Sequence, residues 1–309
     1  MKKISNNTSY ISNPVVLCLG TFDGLHLGHK KLIETGNKIA KEKGYKTAVY
    51  SFDNIPANFF LHKKVNRKLF THDEKISAFN NIGIDYLWLD EFNEKIAGVM
   101  PIDYLKYLKS VLNIKQIVVG FNYTFGSKAA GKTHDLVAFG KTMGFDVFVV
   151  EPVTIDDITV SSSKIRYCIS YGDMENADRM LGNPFIISGK VVKGKQNGRK
   201  ISFPTINILK EEGKLIPKFG VYATKTMIDG QEYKSITNVG IRPTVDNNNL
   251  VSVETNIFEF DEMCYNENAI VSFYKFMRDE VKFDSMDDLK IQIKKDVDDV
   301  KKYFETNGK

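Results

Sequence analysis

The chain has 309 residues, 42% of them hydrophobic and 26% charged, and carries a net charge of +5; that length predicts two domains rather than one core. No run of ~18 apolar residues is present to span a bilayer, and "MKKISNNTSYISN" lacks the apolar stretch of a secretion signal, so a cytoplasmic protein is expected. Three distant cysteines, Cys18, Cys168 and Cys264, exclude a disulfide framework or a zinc ligand set, and lysines dispersed among acids suit anionic small molecules as readily as nucleic acid.

Up to about residue 183 strands and helices alternate. "VVLCLG" (15–20) reads as a buried strand. In "GHKKLIETGNKIAKEKG", Leu32, Ile33, Gly36, Ile39 and Ala40 share one helical face, and Gly44 is the expected stop. "KTAVYSF" (46–52) is the next predicted strand. "THDEKISAFNNIG" opens with a capping box, Thr71 and Glu74, and closes at Gly83. "DYLWL", "KQIVVGF" and "DVFVV" read as further strands, separated by helices around "PIDYLKYLKSVL" and "HDLVAFGKTMG". Such alternation implies a parallel sheet covered on both faces.

From about Phe185 the runs shorten: "FIISGKVV", "ISFPTINI", "GVYATKTM", "SITNVGI", "VSVETNIF" and "AIVSFYKF", punctuated by Gly, Pro and Asn. They predict a small antiparallel barrel. An amphipathic helix from about Ser285 to Phe304 ends the chain, with Met286, Leu289, Ile293, Val297, Val300 and Phe304 on its apolar stripe. The expected organisation is an α/β domain over 1–183 and a β-barrel domain with a C-terminal helix over 184–309.

Three stretches of the first half carry chemistry. "GTFDGLHLGH" (20–29) lies where a strand gives way to a helix, with two histidines around a glycine. Ligands of open parallel sheets bind beyond the carboxyl ends of strands, and a helix N-terminus there favours phosphate. Gly20, Gly24 and Gly28 let backbone approach a ligand, and His26 and His29 offer hydrogen bonds to phosphate oxygens. "VVGFNYTFG" (118–126) supplies Asn122 and the aromatics Phe121, Tyr123 and Phe125, which either pack a core or line a pocket for a flat ring. "VSSSKIR" (160–166) places hydroxyls, Lys164 and Arg166 at a helix start, as an N-cap or as a clamp for a triphosphate.

In the second half, "GKVVKGKQNGRK" puts glycines and cations between two strands, without P-loop spacing. "FPTIN" sets Thr205 and Asn207 on one face of a strand, either as ordinary polar residues or as hard oxygen ligands. Arg278 either holds a ligand or pairs with an acid such as Asp279 or Glu280.

In this order and spacing, "GTFDGLHLGH", "VVGFNYTFG" and "VSSSKIR" resemble the adenylyltransferase module of bacterial FAD synthetase, a Rossmann-like nucleotidyltransferase with an HxGH signature. "SGKVVKGKQNGRKISFPTIN", "FGVYA", "NVGIRPTV", "VETNIF" and "FMRDEVKF" resemble the riboflavin kinase module that follows it in that family. The resemblance runs from about residue 14 to 304. It implies FAD biosynthesis: ATP-dependent phosphorylation of riboflavin to FMN by the second module, then adenylylation of FMN with release of pyrophosphate by the first. In the first module it implies His26 and His29 as catalytic, Gly20, Phe22, Asp23, Gly24, Gly28, Ser162, Lys164 and Arg166 around ATP, and Asn122, Tyr123 and Phe125 around flavin. In the second it implies Glu254 as the base on the ribityl hydroxyl and Gly189, Lys195, Gly198, Arg199 and Pro204 around ATP. Thr205 and Asn207 would hold Mg²⁺ or another hard divalent cation, and Arg278 flavin. The implied partners are riboflavin, FMN, FAD and ATP, with neither nucleic acid nor membrane, and the oligomeric state is left open.

The chain departs from the family pattern at "FDNIP" (52–56), where "FDPHP" is common, and at Asn122, Ser202 and Asn256, where Asp, Gly and His are frequent. Those at Asn54, Ile55 and Asn256 motivate an alternative in which one module is active and the other is a flavin- or nucleotide-binding regulatory domain.

Overall fold

The computed structural model describes residues 1–5, 7–60, 67–192, 203–242, 250–260 and 262–307. The chain divides into two compact units, Met1–Ser162 and Ser163–Lys309.

The first unit runs β1 (Lys2–Ile4), β2 (Ile11–Leu19), α1 (Leu27–Lys43), β3 (Lys46–Phe52), α2 (Pro56–Phe60), α3 (His72–Ile82), β4 (Tyr86–Asp90), α4 (Glu94–Ala97), α5 (Pro101–Val111) and β5 (Leu112–Gly120). A hairpin of β6 (Thr124–Phe125) and β7 (Gly131–Lys132) leads to α6 (Thr133–Met143) and β8 (Asp146–Val150), and a second hairpin joins β9 (Thr154–Ile155) to β10 (Ile158–Thr159). Six strands form one parallel sheet in the order β1-β4-β3-β2-β5-β8. Both faces are covered. Val15, Leu17 and Leu19 of β2 enter one core with Tyr104, Leu108 and Leu136, while Val16 and Cys18 enter the other with Leu32, Ile33 and Phe79. The Thr71–Glu74 capping box forms as expected, and Gly44 and Gly83 end their helices in the left-handed conformation. Edge strand β1 escapes the sequence reading, because three residues carry no periodicity.

Helix α1 packs against β2 through Gly36, where a Cβ would lie 2.5 Å from Cys18 Sγ. The neighbour is a strand side chain buried on all sides, so there is little room to yield.

The second unit takes up α7 (Ser162–Tyr171) and α8 (Met174–Leu181), then β11 (Phe185–Val192), β12 (Ile206–Lys210), β13 (Gly220–Ile228), β14 (Gln231–Arg242), β15 (Leu250–Ile257), β16 (Asn268–Arg278) and α9 (Met286–Thr306). Its six strands close into an antiparallel barrel in the order β11-β12-β15-β14-β13-β16. The interior is partly polar. Thr226, Ser235, Thr224, Thr237 and Thr255 are fully buried, and their hydroxyls link in that order by contacts of 2.8 Å. Burial of so many hydroxyls is tolerable because each finds a partner.

Two expectations are corrected. Strand β12 begins at Ile206, so Thr205 precedes it; residues 201–202 lie outside the described residues. The apolar stripe of α9 is buried only in its second half: Val300 and Phe304 pack on Val221, Ala223 and Ile236 of the barrel's outer wall, whereas Met286 is exposed. Among the described residues no helix is long and apolar enough to cross a membrane.

Replacing Gly36 by valine is expected to destabilise the first unit by about 1–3 kcal/mol through overpacking. Chemical denaturation followed at Trp88, the chain's single tryptophan and a buried residue of β4, checks this. An unchanged midpoint would show that the α1–β2 contact yields freely.

Candidate active sites

In the first unit, β3 and β4 lie to one side of β2 and β5 and β8 to the other. The strand order reverses between β2 and β5, and the crevice at such a reversal is where open α/β sheets bind ligands. The HxGH stretch leaves β2 there and the "GFNYTFG" stretch leaves β5.

The turn between β2 and α1 is strained. Phe22, Gly24 and Leu25 have φ of 47°, 83° and 41°, and a non-glycine residue in that region costs on the order of 1–3 kcal/mol. Neighbouring groups fix it. Ser51 Oγ and Lys75 Nζ donate to the Thr21 carbonyl at 2.9 and 2.7 Å. The buried Asp23 carboxylate accepts the N–H groups of Leu69 and Phe70 at 3.0–3.1 Å. Ser162 Oγ donates to the Asp23 carbonyl at 2.9 Å. Asp23 and Ser162 therefore hold the shape of the turn.

His26 is the N-cap of α1: its Nδ1 accepts the His29 N–H at 3.3 Å, which puts the proton of the neutral ring on Nε2. The two imidazoles stack, with centroids 3.6 Å apart and planes 16° from parallel. A Cβ on Gly28 would come within 3.2 Å of the His26 ring, and one on Gly20 within 2.9 Å of the Phe22 ring. Both glycines make room for rings within the motif. Phe22 itself is buried and meets His29 edge-on at 5.2 Å. Burial first, then the charges of His26 and Lys75, hold His29 well below the usual imidazole range, so the ring is neutral at physiological pH. Its Nδ1 is buried without a hydrogen-bond partner.

A cavity of about 360 Å³ opens above this motif. Gly20, Phe22 and His29 line one side, and Asn122, Tyr123 and Phe125 another. Tyr123 and Phe125 thus do both things allowed for them, since Phe125 also belongs to the core; Phe121 is exposed and does not line the cavity. Sequence reasoning missed the third wall, Tyr50, Phe52, Phe60, Phe92 and Tyr104. These come from four segments, and only the position of Tyr50 and Phe52 at a strand's carboxyl end signalled them. Tyr50 donates to Asp90 at 3.2 Å, and the Tyr104 and Tyr123 hydroxyls meet at 3.4 Å. Lys164 and Arg166 follow on α7, which belongs to the second unit after Ser162.

In the second unit, Val253 and Thr255 face the barrel interior, so Glu254 points outward. Its register partners are Asn207 on β12 and Asn238 on β14. A cavity of about 350 Å³ lies over this outer wall, lined by Thr205, Asn238, Glu254, Asn256, Arg278 and Glu280 of the barrel side and by Leu289, Ile293 and Asp296 of α9. The first half of the α9 stripe therefore faces a cavity rather than a core. Arg278 makes a two-pronged pair with Asp296 at 2.9 and 2.5 Å, and Gln292 adds a bond to the same carboxylate at 2.8 Å. Neither Asp279 nor Glu280 is the partner carboxylate, although Arg278 also donates to the Asp279 carbonyl. Asn207 Oδ1 is buried without a partner, an oxygen suited to a hard cation. Asn256 Nδ2 donates to the Pro204 carbonyl at 2.7 Å and so fixes the segment before Thr205, a role the sequence did not suggest. Gly189 sits within β11, where a Cβ would meet the Leu209 carbonyl at 2.2 Å, so strand packing accounts for it. Lys195, Gly198 and Arg199 lie outside the described residues.

Because His29 stays neutral in the fold while an unfolded imidazole protonates near pH 6.5, the unfolded chain binds the extra proton below that pH. Stability of the first unit is expected to fall as pH drops below 6.5, by at most about 1.4 kcal/mol per pH unit from this group. His29→Gln should flatten that slope in denaturation followed at Trp88; an unchanged slope would show that His29 titrates normally.

Two family profiles match the chain, FAD synthetase over residues 9–164 and riboflavin kinase over residues 181–304. A bifunctional riboflavin kinase/FMN adenylyltransferase of Listeria monocytogenes is 32% identical over 308 residues, 96% of this chain and 98% of that protein. The protein of the same name from Bacillus subtilis is 35% identical over 298 residues, 94% and 92% of the two chains. A crystal structure described as a macrolide-efflux protein from Streptococcus pneumoniae is also similar, with a TM-score of 0.88 and 30% identity over 97% of this chain and 98% of that one. With both profiles in tandem and near-complete coverage of its relatives, the chain belongs to the family of bifunctional riboflavin kinases/FMN adenylyltransferases.

Proposed function

We propose that this enzyme makes FAD from riboflavin and ATP in two steps at two sites. The observation that carries the reading is that each unit has a cavity lined by its own family's motif residues, His29 and Asn122 in one, Glu254 and Arg278 in the other. The adenylyltransferase module is assigned residues 1–183 and the kinase module 184–309, and a cytoplasmic location suits substrates of this kind.

In the kinase module, Glu254 accepts the proton of the riboflavin 5′-hydroxyl as its oxygen attacks the γ-phosphorus of ATP and ADP leaves. Arg278, held by Asp296, forms part of the flavin wall. Thr205 and Asn207 would hold Mg²⁺ or another hard divalent cation, which when bound supplies positive charge to the ATP phosphates. In the adenylyltransferase module, an FMN phosphate oxygen bonds to the α-phosphorus of ATP as the bond to the departing pyrophosphate breaks. Neutral His29 and the Nε2–H of His26 donate to phosphate oxygens as charge shifts between them. Lys164 and Arg166 steady the pyrophosphate while Ser162, whose hydroxyl donates to the Asp23 carbonyl, holds the turn, and the aromatic walls with Asn122 receive the flavin ring.

Incubation with riboflavin, ATP and Mg²⁺, with flavins separated over time, should give FMN first and FAD after. FMN alone would leave the first cavity as a binding site, and no conversion would overturn both steps. His29→Ala should lower FAD formation by roughly 10²–10³ while FMN formation persists. Glu254→Gln should do the reverse, slowing FMN formation by roughly 10²–10⁴ while supplied FMN is still adenylylated. A variant that loses both activities would argue against separate sites.

A further inference from the structure

Lys75 is a buried lysine that none of the chemistry above uses. It lies on α3, 4% exposed, and its ammonium donates to two main-chain carbonyls, Thr21 at 2.7 Å and Phe52 at 2.5 Å. Phe52 ends β3 and Thr21 lies two residues past the end of the adjacent β2, on the side where the first cavity opens, and both residues line it. The β2–β3 ladder is weakening there: its last register pair is Leu19 with Tyr50, followed by a long Gly20 N–H bond to the Tyr50 carbonyl at 3.4 Å. Beyond that point Lys75 ties the two chains. The left-handed turn begins one residue after Thr21 and ends at Leu25, one residue before the N-cap of α1, so a movement of the Thr21 carbonyl passes directly to His26 and His29.

Burying an ammonium is an expensive way to make two hydrogen bonds, and a fold that needed only adhesion would be served by an apolar side chain. Burial pulls the Lys75 pKa down to about 8, against the pull of Asp23 and Asp53, with Lys68 also lowering it. Its charge in turn helps keep His29 neutral.

On the reading that the first cavity performs adenylyl transfer, we propose that Lys75 is a positioning residue for that step: by gathering the Thr21 and Phe52 carbonyls onto one ammonium it sets the spacing of two cavity walls and the aim of the histidine pair. It touches no substrate. Misplacement on the ångström scale costs up to ~10²-fold in rate.

The test is the full chain carrying Lys75→Met, assayed at a temperature where circular dichroism shows it folded, with wild type beside it. The expected result is a fall of ~10²-fold in kcat for FAD formation, KM for ATP and FMN nearly unchanged, and FMN formation from riboflavin unaffected. A residue needed only for folding would lower the melting temperature and leave kcat of the folded protein intact, which would overturn the proposal. A rise in KM with kcat unchanged would make Lys75 a binding contact and also overturn it. Should Lys75→Met fail to fold, Lys75→Gln decides, because it keeps a polar donor but loses the charge and the reach to both carbonyls. A loss of roughly fivefold in kcat alone, the worth of one hydrogen bond, supports the proposal, and a wild-type kcat overturns it. If wild type forms no FAD, it is the adenylyl-transfer reading that falls, and this inference with it.

Discussion

Full interiors dictate where this protein does chemistry. The parallel sheet is buried on both faces, with successive residues of β2 entering opposite cores, so no ligand can lie on it. What remains open is the row of strand ends, and a cavity opens there at the reversal between β2 and β5. The barrel obeys the same constraint differently. Its lumen is filled by hydroxyls and rings, which leaves the outer wall, and α9 turns part of that wall into a cavity by covering it incompletely.

At the strand ends, geometry is maintained against its own preferences. Phe22 and Leu25 occupy backbone conformations that L-residues avoid, and donors and acceptors from β3, the segment before α3, α3 itself and the start of α7 hold them. The same crowding removes water from His29 and keeps it uncharged. Strain, burial and a neutral imidazole are thus one arrangement: relaxing the turn would also re-solvate the ring. The kinase-side cavity is held by a different device, a two-pronged arginine–carboxylate pair between a strand and a helix.

Legibility in the sequence followed the range of the interactions. The alternating pattern gave β3 and β8 their limits, and Thr71 with Glu74 announced the start of α3, since a capping box is complete within four residues. Motif stretches leaving β2 and β5 could be placed at strand ends, though nothing local revealed that these two strands flank the reversal. Whatever depended on distant partners was out of reach. Arg278 lies 18 residues from Asp296, and its nearer acids made plausible but incorrect partners. The aromatic wall of Tyr50, Phe60, Phe92 and Tyr104 is assembled only by the fold. Thr205 was assigned to a strand because alternation continued through it, yet pairing with β15 starts one residue later. The HxGH spacing points to His26 as a phosphate donor alone, whereas one of its nitrogens is committed to capping its own helix.

The buried hydroxyl chain in the barrel bears on how such a core can change over time. Thr226, Ser235, Thr224, Thr237 and Thr255 form four successive links, so three of the five serve two neighbours each. Removing Ser235 or Thr237 leaves the end hydroxyl beyond it, Thr226 or Thr255, without its partner in the chain, at about 1–3 kcal/mol, whereas exchanging the whole set for methyl groups of similar shape can be nearly neutral. Change can therefore enter the ladder at Thr226, Thr224 or Thr255, whose loss leaves every remaining hydroxyl with a partner, more readily than at Ser235 or Thr237.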